Sequence, residues 1–165
     1  MLVNGATGSA GRLAVQIAKY LGARKVIATG RNVRALEALR EIGADETVAL
    51  GDPDLNGRLE RAFASGVDVV IDYLWGVSAE RILIAGARAG AVLRSSAIEM
   101  MGSGIGSIPM ERFVAAIRGV LHAAAPGGFR IATKTAPLVA VEWLWAEDGS
   151  TQRTVFLFAA PNHLD

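Results

Sequence analysis

The sequence predicts an α/β fold, a doubly wound and mostly parallel sheet with helices on both faces. Three observations lead to it. Short β-branched segments alternate with segments whose apolar residues recur at helical spacing. The links are short, and glycine, 19 of the 165 residues, falls mostly at the junctions, as many tight turns require. The run Val69-Val70-Ile71 is apolar without alternation, which predicts a strand buried on both faces, as in a parallel sheet. Strand and helix alternating through short links imply right-handed crossovers. The length suits one domain with a real core, and an apolar fraction of 52% against 20% charged residues is a globular composition.

Leu2-Val3 is the tail of a short buried strand. Leu13, Ile17 and Leu21 place a helix over Ser9–Leu21, and Gly22 stops it. Lys25–Thr29 is a β-branched strand. Asn32 is a cap for a helix through Leu36, Leu39 and Ile42 to Gly43. Thr47–Leu50 is a third strand. Asp52 or Asp54 opens a helix through Leu55, Leu59 and Phe63 that ends near Gly66. Val67–Tyr73 is a fourth strand, and Ser78–Arg88 a further helix. The second half is less regular. Ala91–Leu93 and Ile98–Met101 both read as strand, followed by a loop at 102–106. Pro109 starts a helix through Phe113, Ile117 and Leu121. Phe129–Thr133 is a strand, Leu138–Trp145 a short helix, and Thr154–Phe158 a last strand. Residues 1–158 are expected to form one domain, with 159–165 as a loose tail. Because the chain begins inside the strand of its first motif, that strand is expected to be truncated, with no domain upstream.

Charge and composition narrow the function classes. A net charge of +1 gives no electrostatic case for nucleic acid or an anionic membrane. With no cysteine, disulfides and thiolate zinc sites within the chain are excluded, and a reducing cytoplasm is the expected location. No apolar run reaches the length of a membrane span, and no basic region followed by an apolar one marks a signal peptide.

The informative segment is Val3-Asn4-Gly5-Ala6-Thr7-Gly8-Ser9-Ala10-Gly11: the end of a strand, a glycine turn and the first turn of a helix. A Rossmann-type dinucleotide fold needs small residues here because the turn is tight, the backbone approaches the pyrophosphate, and helix packs on strand. Gly8 and Gly11 fill two of these roles. Gly5 or Ala6 fills the first, depending on the spacing chosen. The amides around Ser9 and Ala10 then face the pyrophosphate at a helix N-terminus. With Thr7, these make Ala6, Thr7, Gly8, Ser9, Ala10 and Gly11 the expected cradle. A glycine turn without ligand is the bland alternative, and the strands on either side of the turn and its helix argue against it. At the end of the second strand, Thr29-Gly30-Arg31-Asn32-Val33-Arg34 lacks the carboxylate that an NAD enzyme uses on its adenosine ribose. Gly30 leaves space, Arg31 offers a fork to a 2′-phosphate, and Arg34 assists from the next turn, so NADPH is the expected cofactor. The alternative is that both arginines are solvated helix-start charges. Asp72-Tyr73-Leu74-Trp75-Gly76 ends the fourth strand, so Tyr73 and Trp75 are expected to line the ribose or nicotinamide side. Packing against the following helix accounts equally well for Trp75.

Several segments together resemble the medium-chain dehydrogenase/reductase superfamily, near its zinc-independent quinone oxidoreductases. They are the glycine motif, Ala14-Val15-Gln16-Ile17-Ala18-Lys19, Leu21-Gly22-Ala23, Ile42-Gly43-Ala44-Asp45, Gly66-Val67-Asp68-Val69-Val70-Ile71-Asp72 and Arg153-Thr154-Val155-Phe156. The resemblance covers most of the chain but only the cofactor-binding half of such an enzyme, without the GroES-like catalytic domain. It implies hydride transfer from NADPH to a quinone, enone or carbonyl compound, with catalysis resting on placement of substrate against the nicotinamide. It implies no metal held by this chain, and a homodimer built on the nearby sheet edge. Leu93 and Ile98 stand almost adjacent where the family has a long loop, which puts the nicotinamide pocket and the dimer contact in doubt. Self-association or poor solubility is expected wherever a partner domain's seat is left uncovered. No catalytic residue stands out. His122 reads as structural, His163 as solvated, Trp143 and Trp145 as packing. Tyr73 is the one tyrosine near the predicted site, and it is a weaker candidate as proton donor.

Two other readings remain open. An atypical short-chain reductase fits the glycine spacing but lacks a Tyr-x-x-x-Lys pair. It gains if the last strand does not pair within the nucleotide-binding sheet. A non-catalytic NADPH-binding module, or a truncated gene product, fits the absence of a substrate domain.

Overall fold

The computed structural model describes residues 1–88, 99–102, 104, 106–146 and 152–158. Four strands, β1 (Leu2–Asn4), β2 (Ile27–Gly30), β3 (Glu46–Ala49) and β4 (Val70–Asp72), form a parallel sheet in the order β3-β2-β1-β4. β1 pairs with both neighbours, so Val3 lies between Ala28 and Ile71. The order reverses at β1, which makes the sheet doubly wound.

Adjacent residues of a strand point to opposite faces, and the core divides accordingly. Val3 and Ala28 pack against Ala14, Val15 and Ala18 of α1 (Ser9–Tyr20) and Leu36 of α2 (Val33–Glu37). Leu2, Ile27 and Val48 pack against Leu55, Leu59 and Ala62 of α3 (Leu55–Ala64) and Ile82 and Ala85 of α4 (Gly76–Arg88). Both helical layers and the parallel pairing agree with the fold that the sequence predicts.

Several local expectations are corrected. α1 lies on the sheet through its small residues, while Leu21, at the end of the expected apolar stripe, is 76% exposed. Ile17 and Leu21 instead border an apolar groove of about 430 Å³ with Val69 and Ile71, at the N-terminal end of the strands. The expected helix from Asn32 to Gly43 is two pieces, α2 and a 3-10 turn at Arg40–Ile42. The Asn32 side chain caps α2 by accepting from Ala35 N–H at 3.0 Å, and the tighter second piece keeps both Leu36 and Leu39 in the core. β4 is not buried on both faces: Val69 and Val70 are exposed, because β4 is the sheet edge among the described residues.

The second half departs further. Glu99–Met101 carries no strand, and 91–98, with the expected deletion after Leu93, lie outside the described residues, as do 159–165 and His163. α5 (Met110–Ala124) starts after Pro109 as expected but buries no residue. The strand expected over Phe129–Thr133 lies further on, as β5 (Thr133–Pro137), because Arg130 is already engaged. Its N–H donates to Gln16 Oε1 at 2.7 Å and its carbonyl accepts from Gln16 Nε2 at 2.9 Å, while the Phe129 ring meets Tyr20 edge-on at 5.5 Å. A 3-10 turn (Leu138–Ala140) and α6 (Val141–Leu144) lead on to β6 (Arg153–Leu157). β6 pairs in parallel with β5 as a separate two-stranded sheet, not with β1–β4. No helix among the described residues is long and apolar enough to cross a membrane.

Asp45 staples the end of α1 to the start of β2: it accepts from Val26 N–H at 2.6 Å and pairs with Lys19 at 2.7 Å. Burial pushes its carboxyl up, but the Lys19 and Val26 bonds outweigh this and hold it below the usual aspartate range. A depressed folded-state value means stability that is present above the unfolded value and lost as pH falls below about 4. Asp45→Asn is therefore expected to flatten the acid limb of a stability-against-pH curve, read by thermal denaturation. Leu59→Ala, in the buried layer, is expected to cost about 3 kcal/mol in urea unfolding. Leu121→Ala, on the uncovered α5, is expected to change stability by less than about 0.5 kcal/mol.

Candidate cofactor-binding site

The C-terminal ends of β1, β2 and β4 and the start of α1 converge around the glycine turn. The Gly5 and Ala6 N–H groups both donate to Thr29 carbonyl, at 3.2 and 2.8 Å, which binds the turn to the end of β2. Gly5 takes φ +83°, a left-handed conformation open to glycine. A side chain at Gly11 would strike the Gly5 carbonyl and approach Ala6 Cα to 2.6 Å, so only glycine lets α1 lie this close to the turn. At Gly8 the equivalent space is open, with its nearest atom 3.8 Å away.

This geometry leaves the start of α1 unsatisfied. Gly8 offers no side-chain cap, the first turn holds no acidic residue, and Ser9, Ala10 and Gly11 N–H find no acceptor among the described residues. Three free amides at the positive end of a 12-residue helix make an anion site. A cation stands beside it. Arg153 Nε of β6 donates to Ser9 Oγ at 3.2 Å, bringing a guanidinium from 144 residues away. Sequence reasoning passed over Arg153, because nothing in its local pattern points to Ser9. Arg12, also near the start of α1, has a buried Nε without a partner among the described residues, which adds to the positive character of this end.

The other expected residues are placed as follows. Ala6 is fully buried and its N–H is already used, so it shapes the turn. Thr7 packs its methyl where a side chain on Gly30 would begin, at 2.7 Å, so Gly30 is buried against the glycine turn. Arg31 and Arg34 follow directly, exposed, and neither side chain has an ion-pair or hydrogen-bond partner among the described residues. Across the turn, Leu74 fills the space beside Gly5, with Tyr73 and Trp75 exposed on either side of it. Burial raises the Tyr73 phenol above its ordinary value, so it stays a hydroxyl donor at neutral pH. Trp75 is 69% exposed, which removes the packing explanation for it, and it adopts φ +56°. His122 is exposed on α5, and Trp143 and Trp145 are exposed at α6, so neither tryptophan packs as expected.

A buried polar network lies beneath these groups, and the sequence reading missed it. Asn4 is wholly buried. Its Oδ1 accepts from Thr29 Oγ at 2.6 Å, and its Nδ2 donates to Asp72 Oδ1 at 2.7 Å and Ser78 Oγ at 3.1 Å. Asp72 Oδ1 also accepts from Leu74 and Trp75 N–H at 2.9 and 3.2 Å. A polar residue closing an apolar strand was the available signal.

A protein-family model described as zinc-binding dehydrogenase matches residues 10–125. The chain belongs to that family. It is a member of the medium-chain dehydrogenase/reductase superfamily. A protein of Leishmania amazonensis named "Probable quinone oxidoreductase" is 36% identical over 75 residues, 46% of this chain and 22% of its own length. "Probable NADPH-dependent quinone reductase tdiC" of Emericella nidulans is 39% identical over 88 residues, 50% of this chain and 24% of its own. The chain thus matches under a quarter of the length of these relatives. Among solved structures, CurA of Vibrio vulnificus in complex with NADPH superimposes with a TM-score of 0.72 at 18% identity, covering 97% of this chain and 57% of CurA. That likeness shows the fold. The separate β5–β6 sheet is the outcome that would favour a short-chain reductase, and the family match outweighs it. Among the described residues no three His, Cys, Asp or Glu side chains are grouped to hold a metal ion, so they do not fit a zinc ion.

A tryptophan at positive φ costs of the order of 1 kcal/mol. Trp75→Asn, with a residue that tolerates this conformation, is expected to raise stability by up to about 1 kcal/mol in urea unfolding.

Proposed function

We propose that the chain is the NADPH-binding portion of an oxidoreductase that transfers hydride to a quinone, enone or carbonyl substrate. The observation that carries this reading is the uncapped start of α1, with three free N–H groups and Arg153 at its mouth. That arrangement suits a pyrophosphate. The relatives' names and family membership support the reaction class.

The roles divide by position. Ser9, Ala10 and Gly11 present backbone donors to the pyrophosphate, Gly8 leaves it room to approach, and Arg153 adds charge. Arg31, with Arg34 one turn on, meets the adenosine 2′-phosphate, with no carboxylate nearby in the Gly30–Arg34 segment to repel it. Thr7 and Gly30 hold that side close to the turn. Tyr73 and Trp75 flank the other half of the crevice and shield it from water. The bound nicotinamide supplies the hydride. The protein's contribution is placement of substrate and cofactor, which needs no acid/base pair of its own. Residues 1–158 act in this reading as the cofactor-binding half, and turnover needs a GroES-like catalytic half as well. A cytoplasmic location and a homodimer belong to the same proposal, the first supported by the absence of cysteine.

Calorimetric titration tests it. NADPH is expected to bind at least about 10-fold more tightly than NADH, the size of one charge-assisted contact. Arg31→Ala is expected to abolish that preference. Arg153→Gln is expected to weaken NADPH and NADH alike, since the pyrophosphate is common to both. Equal affinity of the wild type for the two cofactors would sink the assignment. NADPH oxidation assayed with several quinones separates the readings: binding without turnover favours the non-catalytic module unless turnover returns when the catalytic half is supplied.

A further inference from the structure

The turn after β4 is built around one carboxylate that uses only half of its capacity. Asp72 Oδ1 takes three donors: Asn4 Nδ2 at 2.7 Å, Leu74 N–H at 2.9 Å and Trp75 N–H at 3.2 Å. Asp72 Oδ2 receives none from the described residues, and the residue is exposed. The first oxygen is held from both sides. Asn4 is fixed in turn by Thr29 and Ser78, and Ser78 donates to the Trp75 carbonyl at 3.1 Å. A carboxylate so anchored cannot rotate to bring a different oxygen forward without losing three bonds.

Its location gives the free oxygen a use. Asp72 is paired with Asn4 in the β1–β4 register, at the C-terminal ends of the two strands where the sheet order reverses. Ligands of such sheets lie across this switch point. The β2 side, with Gly30 and Arg31, takes the adenosine half. The β4 side then takes the other half. The turn is seated on the glycine loop, since Leu74 Cγ lies 2.8 Å from where a Gly5 side chain would start.

We propose that Asp72 is a cofactor-binding residue, whose Oδ2 accepts a donor hydrogen from the nicotinamide-side half of the dinucleotide while Asn4 positions it through Oδ1. The donors on that half are the ribose hydroxyls and the carboxamide N–H. An ionised carboxylate accepts either, and has no use for the pyrophosphate between the halves. The assignment rests on the NADPH reading above and adds to it the residue that holds the second half.

The test uses the intact chain and two ligands. Asp72→Asn is isosteric, keeps one oxygen for the three donors and turns the free atom from acceptor into donor. It is expected to lower NADPH affinity about 10-fold, the loss of one charge-assisted bond. Affinity for adenosine 2′,5′-bisphosphate, which carries only the β2-side half, is expected to stay within about twofold. Asp72→Ser, which retains a single acceptor, serves if the first variant does not fold, with the same expectation. Repeating the NADPH comparison with the 3-acetylpyridine analogue, which lacks the carboxamide N–H, identifies the donor. A persisting loss points to the ribose, and a vanishing one to the carboxamide. An equal loss for NADPH and for the bisphosphate shows a merely structural aspartate and overturns the assignment, as does no loss for either. Failure of the wild type to bind both ligands overturns the NADPH reading itself.

Discussion

One buried side-chain amide, Asn4, joins the parts that make the crevice. β1 is three residues long and lies between β2 and β4, so its last residue stands between the C-terminal ends of both neighbours, Thr29 on one side and Asp72 on the other. A polar residue buried there is tolerated only if its donors and acceptor are met, since each unmet group costs about 1–3 kcal/mol. Thr29, Asp72 and Ser78 meet them. The requirement thus fixes β2, β4 and the start of α4 relative to one another. An apolar residue of similar size would fill the space but leave the hydroxyls of Thr29 and Ser78 and the oxygen of Asp72 without direction.

The glycine turn works by the opposite principle. Asn4 has every bond made, whereas the start of α1 has its bonds withheld. Gly8 provides no cap, no acidic side chain occupies the first turn, and Gly11 brings the helix down onto the Gly5 carbonyl. Free N–H groups and the helix dipole are thereby kept for an anion. The local charges have the matching sign: Arg153 touches Ser9, and Arg31 and Arg34 stand without partners among the described residues at the end of β2. Rigid support below and unsatisfied donors above are what a preorganised binding site needs.

The C-terminal third is joined to this unit by few but specific contacts. Gln16 treats Arg130 as a strand neighbour would, using both its donor and its acceptor, and Tyr20 meets Phe129 beside it. Those contacts consume the segment that the sequence offers as a strand and move β5 four residues on. They also place β6, and so Arg153, at the mouth of the cradle. α5 and the exposed faces of β5 and β6 carry apolar residues that nothing among the described residues covers, such as Val114, Leu121 and Leu157.

The amino-acid sequence by itself determined the alternation of strands and helices, the glycine turn at Gly5–Gly11, the Asn32 cap and the cationic end of β2. These are local features: a hydrophobic period, a glycine where a side chain cannot fit, an absent carboxylate. Tertiary structure decided the rest. Which stripe of α1 is buried depends on how closely the sheet lets it approach, and Ala14 and Ala18 approach more closely than Leu13 or Leu21. The exposure of β4 depends on what lies beyond it in the sheet, which no strand encodes in its own composition. Arg153 and Ser9, 144 residues apart, and Asn4 and Asp72, 68 apart, meet only because the chain folds. Both contacts depend on direction, and the Asn4–Asp72 bond on burial as well, and neither exists until the strands are in register.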